Sequence, residues 1–124
     1  MSRYAIYKDV GKKEEEDLTI VVTDIKNIKE KEDIIASNRV VCIDVYGDWC
    51  GPCKATAPQF AKLSNKYNNP GLCKLCKENV DLQLSKDVRG VPLFLFFKEG
   101  RFITSIIGAD MQAIEEELIK LNQQ

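Results

Sequence analysis

Asp48-Trp49-Cys50-Gly51-Pro52-Cys53-Lys54 puts two cysteines three residues apart where an apolar strand gives way to a helix. The strand is Val40 to Val45, nearly continuous in apolar character apart from Asp44, as a strand covered on both faces should be. The helix begins near Cys50. Pro52 suits its first turn, where a missing N–H costs nothing. The unpaired amides and partial positive charge of a helix start stabilise a thiolate, lower its pKa and make it the attacking group near neutral pH. Cys50 is expected to be that group. Cys53, one turn inward, is placed to displace whatever Cys50 captures. Gly51-Pro52 brings no cation to the thiolate, so the couple is expected toward the reducing end.

Working outward, the chain alternates strands and helices. Leu18-Thr19-Ile20-Val21-Val22 is a β-branched run and reads as the first strand. Thr23 or Asp24 offers an N-cap for a helix to about Ser37. The helix after Cys50 carries Phe60, Leu63 and Tyr67 at helical spacing, contains Pro58, and ends at Asn69-Pro70-Gly71. A third strand is expected over Leu72–Val80 and a short helix over Leu82–Val88. Leu93 to Phe97 is a buried strand, turned at Glu99-Gly100 into a hairpin with Phe102–Ile107. Met111, Ile114, Leu118 and Leu121 mark a last amphipathic helix. The order βαβαβαββα predicts an α/β fold, one central mixed sheet flanked by helices. Residues 1–17, with the acidic run Glu14–Asp17, read as an N-terminal extension, either a solvated arm or an added strand at Tyr4–Tyr7, before a domain over 18–124.

Composition narrows the function. The chain has 124 residues, enough for one core, and its apolar share of 44% fits an ordered globule. Eighteen Lys and Arg against nineteen Asp and Glu give no electrostatic reason to bind nucleic acid or an anionic membrane. The lack of histidine removes every mechanism built on an imidazole base or ligand. Five cysteines with no visible export signal fit a reducing, cytoplasmic setting better than a disulfide scaffold.

WCGPCK after a strand resembles the active site of the thioredoxin family. Ile43-Asp44-Val45, Ala57-Pro58, Arg89-Gly90-Val91-Pro92, Phe97-Lys98-Glu99-Gly100 and Gly108 fall in the family's order, so the likeness spans about Leu18 to Leu121. The resemblance likewise implies a lowered thiol pKa in this motif. The resemblance implies a thioredoxin-like fold and a protein-disulfide reductase working through a mixed disulfide. It implies that Asp44 is the buried acid passing protons to and from the second cysteine, with Lys77 paired to it. A carboxyl group inside an apolar strand should have a raised pKa on physical grounds alone. The resemblance also implies a cis Pro92 facing the dithiol, although trans is the commoner form of any X–Pro bond. Val91 would offer backbone bonds to substrate, and Trp49, Gly51, Pro52 and Gly90 would line the surface substrate touches. A simple core placement is the alternative for Trp49. The expected electron donor is a thioredoxin reductase using NADPH; this chain has no dinucleotide fingerprint of its own and is expected to bind no cofactor and to be monomeric. Departures from the family are Leu93 after the proline, Tyr46, residues 1–17, and the stretch holding Cys73 and Cys76.

Two further readings stay open. Cys-x2-Cys-x19-Cys-x2-Cys, formed by Cys50, Cys53, Cys73 and Cys76, lies within the spacing of four-cysteine zinc sites. Against it, residues three apart in a strand face opposite ways, so Cys73 and Cys76 are expected as one buried and one half-exposed thiol. Cys42 is expected to pack as a small hydrophobe. The other reading is a binding module that keeps the fold and uses the dithiol for docking or sensing.

Overall fold

The computed structural model describes residues 21–123. The expected arm over 1–17 and residues 18–20 of the expected first strand lie outside them. Val21 and Val22 precede the first described strand, β1 (Thr23–Ile25). The following helix, α1 (Ile28–Ser37), is capped by Asn27 rather than by Thr23 or Asp24, which belong to β1. Asn27 Oδ1 accepts from Glu30 N at 2.8 Å, and Glu30 Oε1 accepts from Lys26 N at 2.7 Å. This exchange of side-chain and backbone bonds resembles a capping box and fixes the helix start.

β2 (Val40–Tyr46) is central; it runs parallel to β3 (Cys73–Asn79) on one side and antiparallel to β4 (Leu93–Lys98) on the other. β1 and β5 (Arg101–Ile107) are the edges, giving the order β1-β3-β2-β4-β5. Glu99 and Gly100 both have positive φ (53° and 83°), the requirement of a two-residue hairpin turn whose twist matches the strands it joins.

Strand alternation sorts the apolar residues into two layers. Val40, Cys42, Leu75, Phe94 and Phe96 pack under α2 (Gly51–Tyr67) and α3 (Met111–Asn122) through Phe60, Leu63, Ile114 and Leu118. Val41, Ile43, Val45 and Cys76 form the opposite layer with Ile25, Ile34 and Ile35. α2 continues through Pro58, which is exposed.

The helix expected over Leu82–Val88 is absent. A three-residue 3-10 turn, Val80–Leu82, leads instead into an irregular segment before β4. Gln83 and Asp87 take left-handed backbone angles (φ 56° and 59°), which end a right-handed helix. Lys31 Nζ also donates to the carbonyl of Leu84 at 2.9 Å, occupying the acceptor that a helical Val88 amide would use.

Cys73 and Cys76 also differ from expectation, because both are buried, at 3% and 0% exposure. Cys73 lies in the α2/α3 layer and Cys76 in the α1 layer, so the strand does send them to opposite faces. Four thiolates therefore do not converge. Among the described residues no group of three or more Cys, Asp or Glu is arranged to hold a metal, so this geometry does not support the four-cysteine zinc reading. Cys42 is fully buried, as a small hydrophobe would be.

Candidate active site

Cys50 is the N-cap of α2. Its Sγ accepts a hydrogen bond from Cys53 N at 3.1 Å, and its carbonyl accepts the first helical bond from Lys54 N at 3.2 Å. A sulfur in this position meets the free amides of the first turn. Pro52 occupies that turn without leaving a donor unpaired. Cys50 and Cys53 are joined as a disulfide, their Cα atoms 5.3 Å apart. Both are largely covered, at 4% and 5% exposure. Their chain neighbours Trp49, Gly51 and Pro52 are exposed. The core placement considered for Trp49 is thus excluded; its side chain is 69% exposed. Thr56 Oγ1 donates to the Cys53 carbonyl at 3.1 Å.

Gly47 is a site residue the sequence reading missed. A Cβ there would lie 2.9 Å from Trp49 Cε2, so the indole rests on the glycine. A glycine two residues before an aromatic at the end of a strand was the available signal.

Asp44 stands six residues before Cys50 on β2, opposite Lys77 of β3 and Phe94 of β4. Strand alternation places it on the face of Val40 and Cys42, the face covered by the helix that carries Cys53. It is 4% exposed, and among the described residues no group hydrogen-bonds its Oδ1. Burial pushes its pKa up to about 7, with the Lys77 charge pulling the other way. Lys77 Nζ lies 5.4 Å from the centroid of the Tyr46 ring, and the Tyr46 hydroxyl donates to Asp24 Oδ2 at 2.8 Å. The Val91–Pro92 bond is cis, as the resemblance implied and bond statistics alone did not. Gly108 N donates to the Pro92 carbonyl at 2.8 Å, tying that loop to the end of β5.

A dithiol capping the helix that follows the central strand of this mixed sheet defines a thiol–disulfide oxidoreductase. Residues 20–120 match the sequence profile of the thioredoxin family. Thioredoxin-1 of Saccharomyces cerevisiae is 33% identical over 99 residues, covering 79% of this chain and 96% of the yeast protein. Thioredoxin of Mycoplasma pneumoniae is 34% identical over 82 residues, covering 65% and 80% of the two chains. Among solved structures, oxidised mitochondrial thioredoxin 3 of Saccharomyces cerevisiae superimposes with a TM-score of 0.73 at 33% identity, over 80% of this chain and 94% of that one. The chain belongs to the thioredoxin family, and its activity is protein-disulfide reduction. Membership implies disulfide-bearing proteins as substrates and a reductase as partner. No described helix is long and apolar enough to cross a membrane.

Proposed function

We propose that Cys50 is the attacking thiolate and Cys53 the resolving thiol. Cys50 Sγ attacks a substrate disulfide, one substrate thiolate leaves, and a Cys50–substrate disulfide forms. Cys53 then attacks Cys50 Sγ, expelling the second substrate thiolate and closing Cys50–Cys53. The two electrons that formed two substrate thiols come from the protein's dithiol. The observation that carries this order is the Cys53 N to Cys50 Sγ bond, which puts the helix amide on Cys50 and on no other cysteine.

Asp44 is the proton carrier. A carboxyl group that titrates near pH 7 can accept the Cys53 proton in the resolving step and return it on reduction. Lys77 keeps that carboxyl from rising further. Trp49, Gly51, Pro52, Gly90, Val91 and Pro92 form the contact surface, with the Val91 backbone offering bonds to an extended substrate segment.

The electrons that restore the dithiol come from a thioredoxin reductase using NADPH, so the chain needs no cofactor of its own and works as a monomer. A related solved structure concerns a yeast mitochondrial 1-Cys peroxiredoxin resolved through glutathione and thioredoxin systems, and a peroxiredoxin is a suitable client class here too. Three buried free thiols, Cys42, Cys73 and Cys76, support a reducing, cytoplasmic compartment. Residues 1–17 form an extension to a domain over 18–124. A coupled assay tests the scheme: insulin reduction with NADPH and a thioredoxin reductase should proceed catalytically. Dithiol that reacts once and is not restored by the reductase would refute the assigned donor, and binding of clients without any thiol release would favour the docking module.

A further inference from the structure

Among the described residues, one helix, α1, lies on the sheet face opposite α2 and α3, and the β4 side of that face is only partly covered, by Leu84 and Val88 of the irregular segment. A groove of about 710 Å³ lies between α1, the segment Leu84–Arg89 and the two strands. Its walls are mainly apolar: Ile28, Leu84, Leu95, Phe97, Phe102 and Ile107. Phe102 and Ile107 are 56% and 60% exposed. Single exposed hydrophobes are ordinary, but a contiguous apolar trough marks a surface built to be covered.

The groove is held open. Lys31 Nζ bonds the Leu84 carbonyl and, at 2.6 Å, Ser85 Oγ. Ser85 Oγ donates in turn to Glu78 Oε2 at 2.6 Å. This part-buried network ties the irregular segment to α1 and β3, so Leu84 forms a wall and does not fill the space. One end of the groove meets the active-site loop. Arg89 and Leu93, both lining it, bracket Gly90-Val91-Pro92. Gly90 lies against Ile107, where an added Cβ would come within 3.3 Å of Cδ1.

We propose that the groove extends the client-binding surface and takes an apolar polypeptide segment flanking the client cysteine. The inference rests on Gly90–Pro92 meeting substrate. Its argument is continuity: a client strand leaving that loop along β5 has this trough as its next surface. With Lys31 paired to Glu78, the remaining lining charges select neither sign, since Glu32 and Asp87 balance Lys86 and Arg89, so an apolar segment is the occupant that fits.

The test uses the pre-reduced full-length protein in single turnover with two synthetic peptides. Each holds one cysteine as a mixed disulfide with glutathione. One has Leu-Val-Phe-Ile arms on both sides and the other Gly-Ser arms. The apolar peptide should half-saturate the protein at about tenfold lower concentration, the worth of one well-covered apolar side chain, with the same limiting rate. Phe102→Asp and Ile28→Asp, on opposite walls, should each erase that preference and leave the Gly-Ser peptide unaffected. Equal half-saturation for the two peptides, or a preference that survives both substitutions, overturns the proposal. So does a preference seen only after residues 1–20 are removed, which would make that segment the occupant. A dimer dissociated by Phe102→Asp with peptide preference unchanged would assign the groove to a second copy and likewise overturn it. Failure to reduce even the Gly-Ser peptide would strike the dithiol reading itself and carry this inference down with it.

Discussion

Asp44 and Lys77 are direct partners across the parallel β2–β3 pairing, a buried carboxyl facing a half-buried ammonium one strand away. The lysine does not cancel the cost of burial, because the Asp44 pKa still rises from 3.8 to about 7. The native state therefore holds this proton more tightly than the unfolded chain does. Between about pH 4 and pH 7 the unfolded chain has released it and the fold has not, so stability falls as pH rises through that window and levels off above it. The shift corresponds to about 4 kcal/mol. Asp44→Asn should stabilise the protein by roughly 1–4 kcal/mol at pH 8 and by less than about 1 kcal/mol at pH 4.5. Urea unfolding at both values checks this; equal effects at both would remove the buried titration.

The same substitution should slow disulfide reduction near neutral pH while the fold stays intact. Asparagine keeps the shape of the side chain but carries no transferable proton at this pH. General acid–base help is typically worth about 10²- to 10⁴-fold, so a loss of at least about 100-fold is expected near pH 7. A rate profile over pH 5–9 identical to that of the parent would deny Asp44 a part in proton transfer.

Gly47→Ala probes the indole. The new methyl would press on the far end of an exposed ring, which can swing away, so unfolding free energy should change by less than about 1 kcal/mol. The Trp49 emission spectrum should shift, and half-saturation by a protein disulfide should rise about threefold, the size of a modest lost contact. Reduction of a small aromatic disulfide should not change. If insulin and the small disulfide respond alike, the ring has no special part in client contact.

Glu78 is fully buried, and Lys31 Nζ sits 3.0 Å from its Oε1, a charge contact beside the Ser85 bond to Oε2. Lys31→Ala leaves that carboxylate without its cation and should cost about 3–5 kcal/mol. Lys31→Met with Glu78→Leu should recover most of the loss, since apolar replacements of similar volume remove the desolvation cost together with the pair. Chemical denaturation of both variants decides; a double variant no better than the single one would mean that the network gives more than charge neutrality.

Much of this was legible in the chain because the signals were local. Cys50, Pro52 and the apolar run before them mark a strand-to-helix junction within a dozen residues. Asp44 stood out as the one acid in that run. The cis state of Pro92 was legible only through the family resemblance. A short helix was expected over Leu82–Val88, but the Lys31 side chain, more than fifty positions earlier, takes the Leu84 carbonyl that the helix needed. No local pattern marks Glu78 either, because its cation, Lys31, comes from α1. The first helix start was misplaced because Thr23 and Asp24 are good caps in isolation, whereas pairing with β3 draws them into the sheet.

The central claim is the order of the two sulfurs, and disulfide trapping tests it most directly. Reduced Cys50→Ser and Cys53→Ser proteins would each be mixed with a protein disulfide, quenched with acid, and mapped by mass spectrometry. Cys53→Ser should accumulate a covalent adduct through Cys50, while Cys50→Ser forms none and is inactive. An adduct through Cys53 in the Cys50→Ser protein, or turnover retained by both variants, would contradict the account.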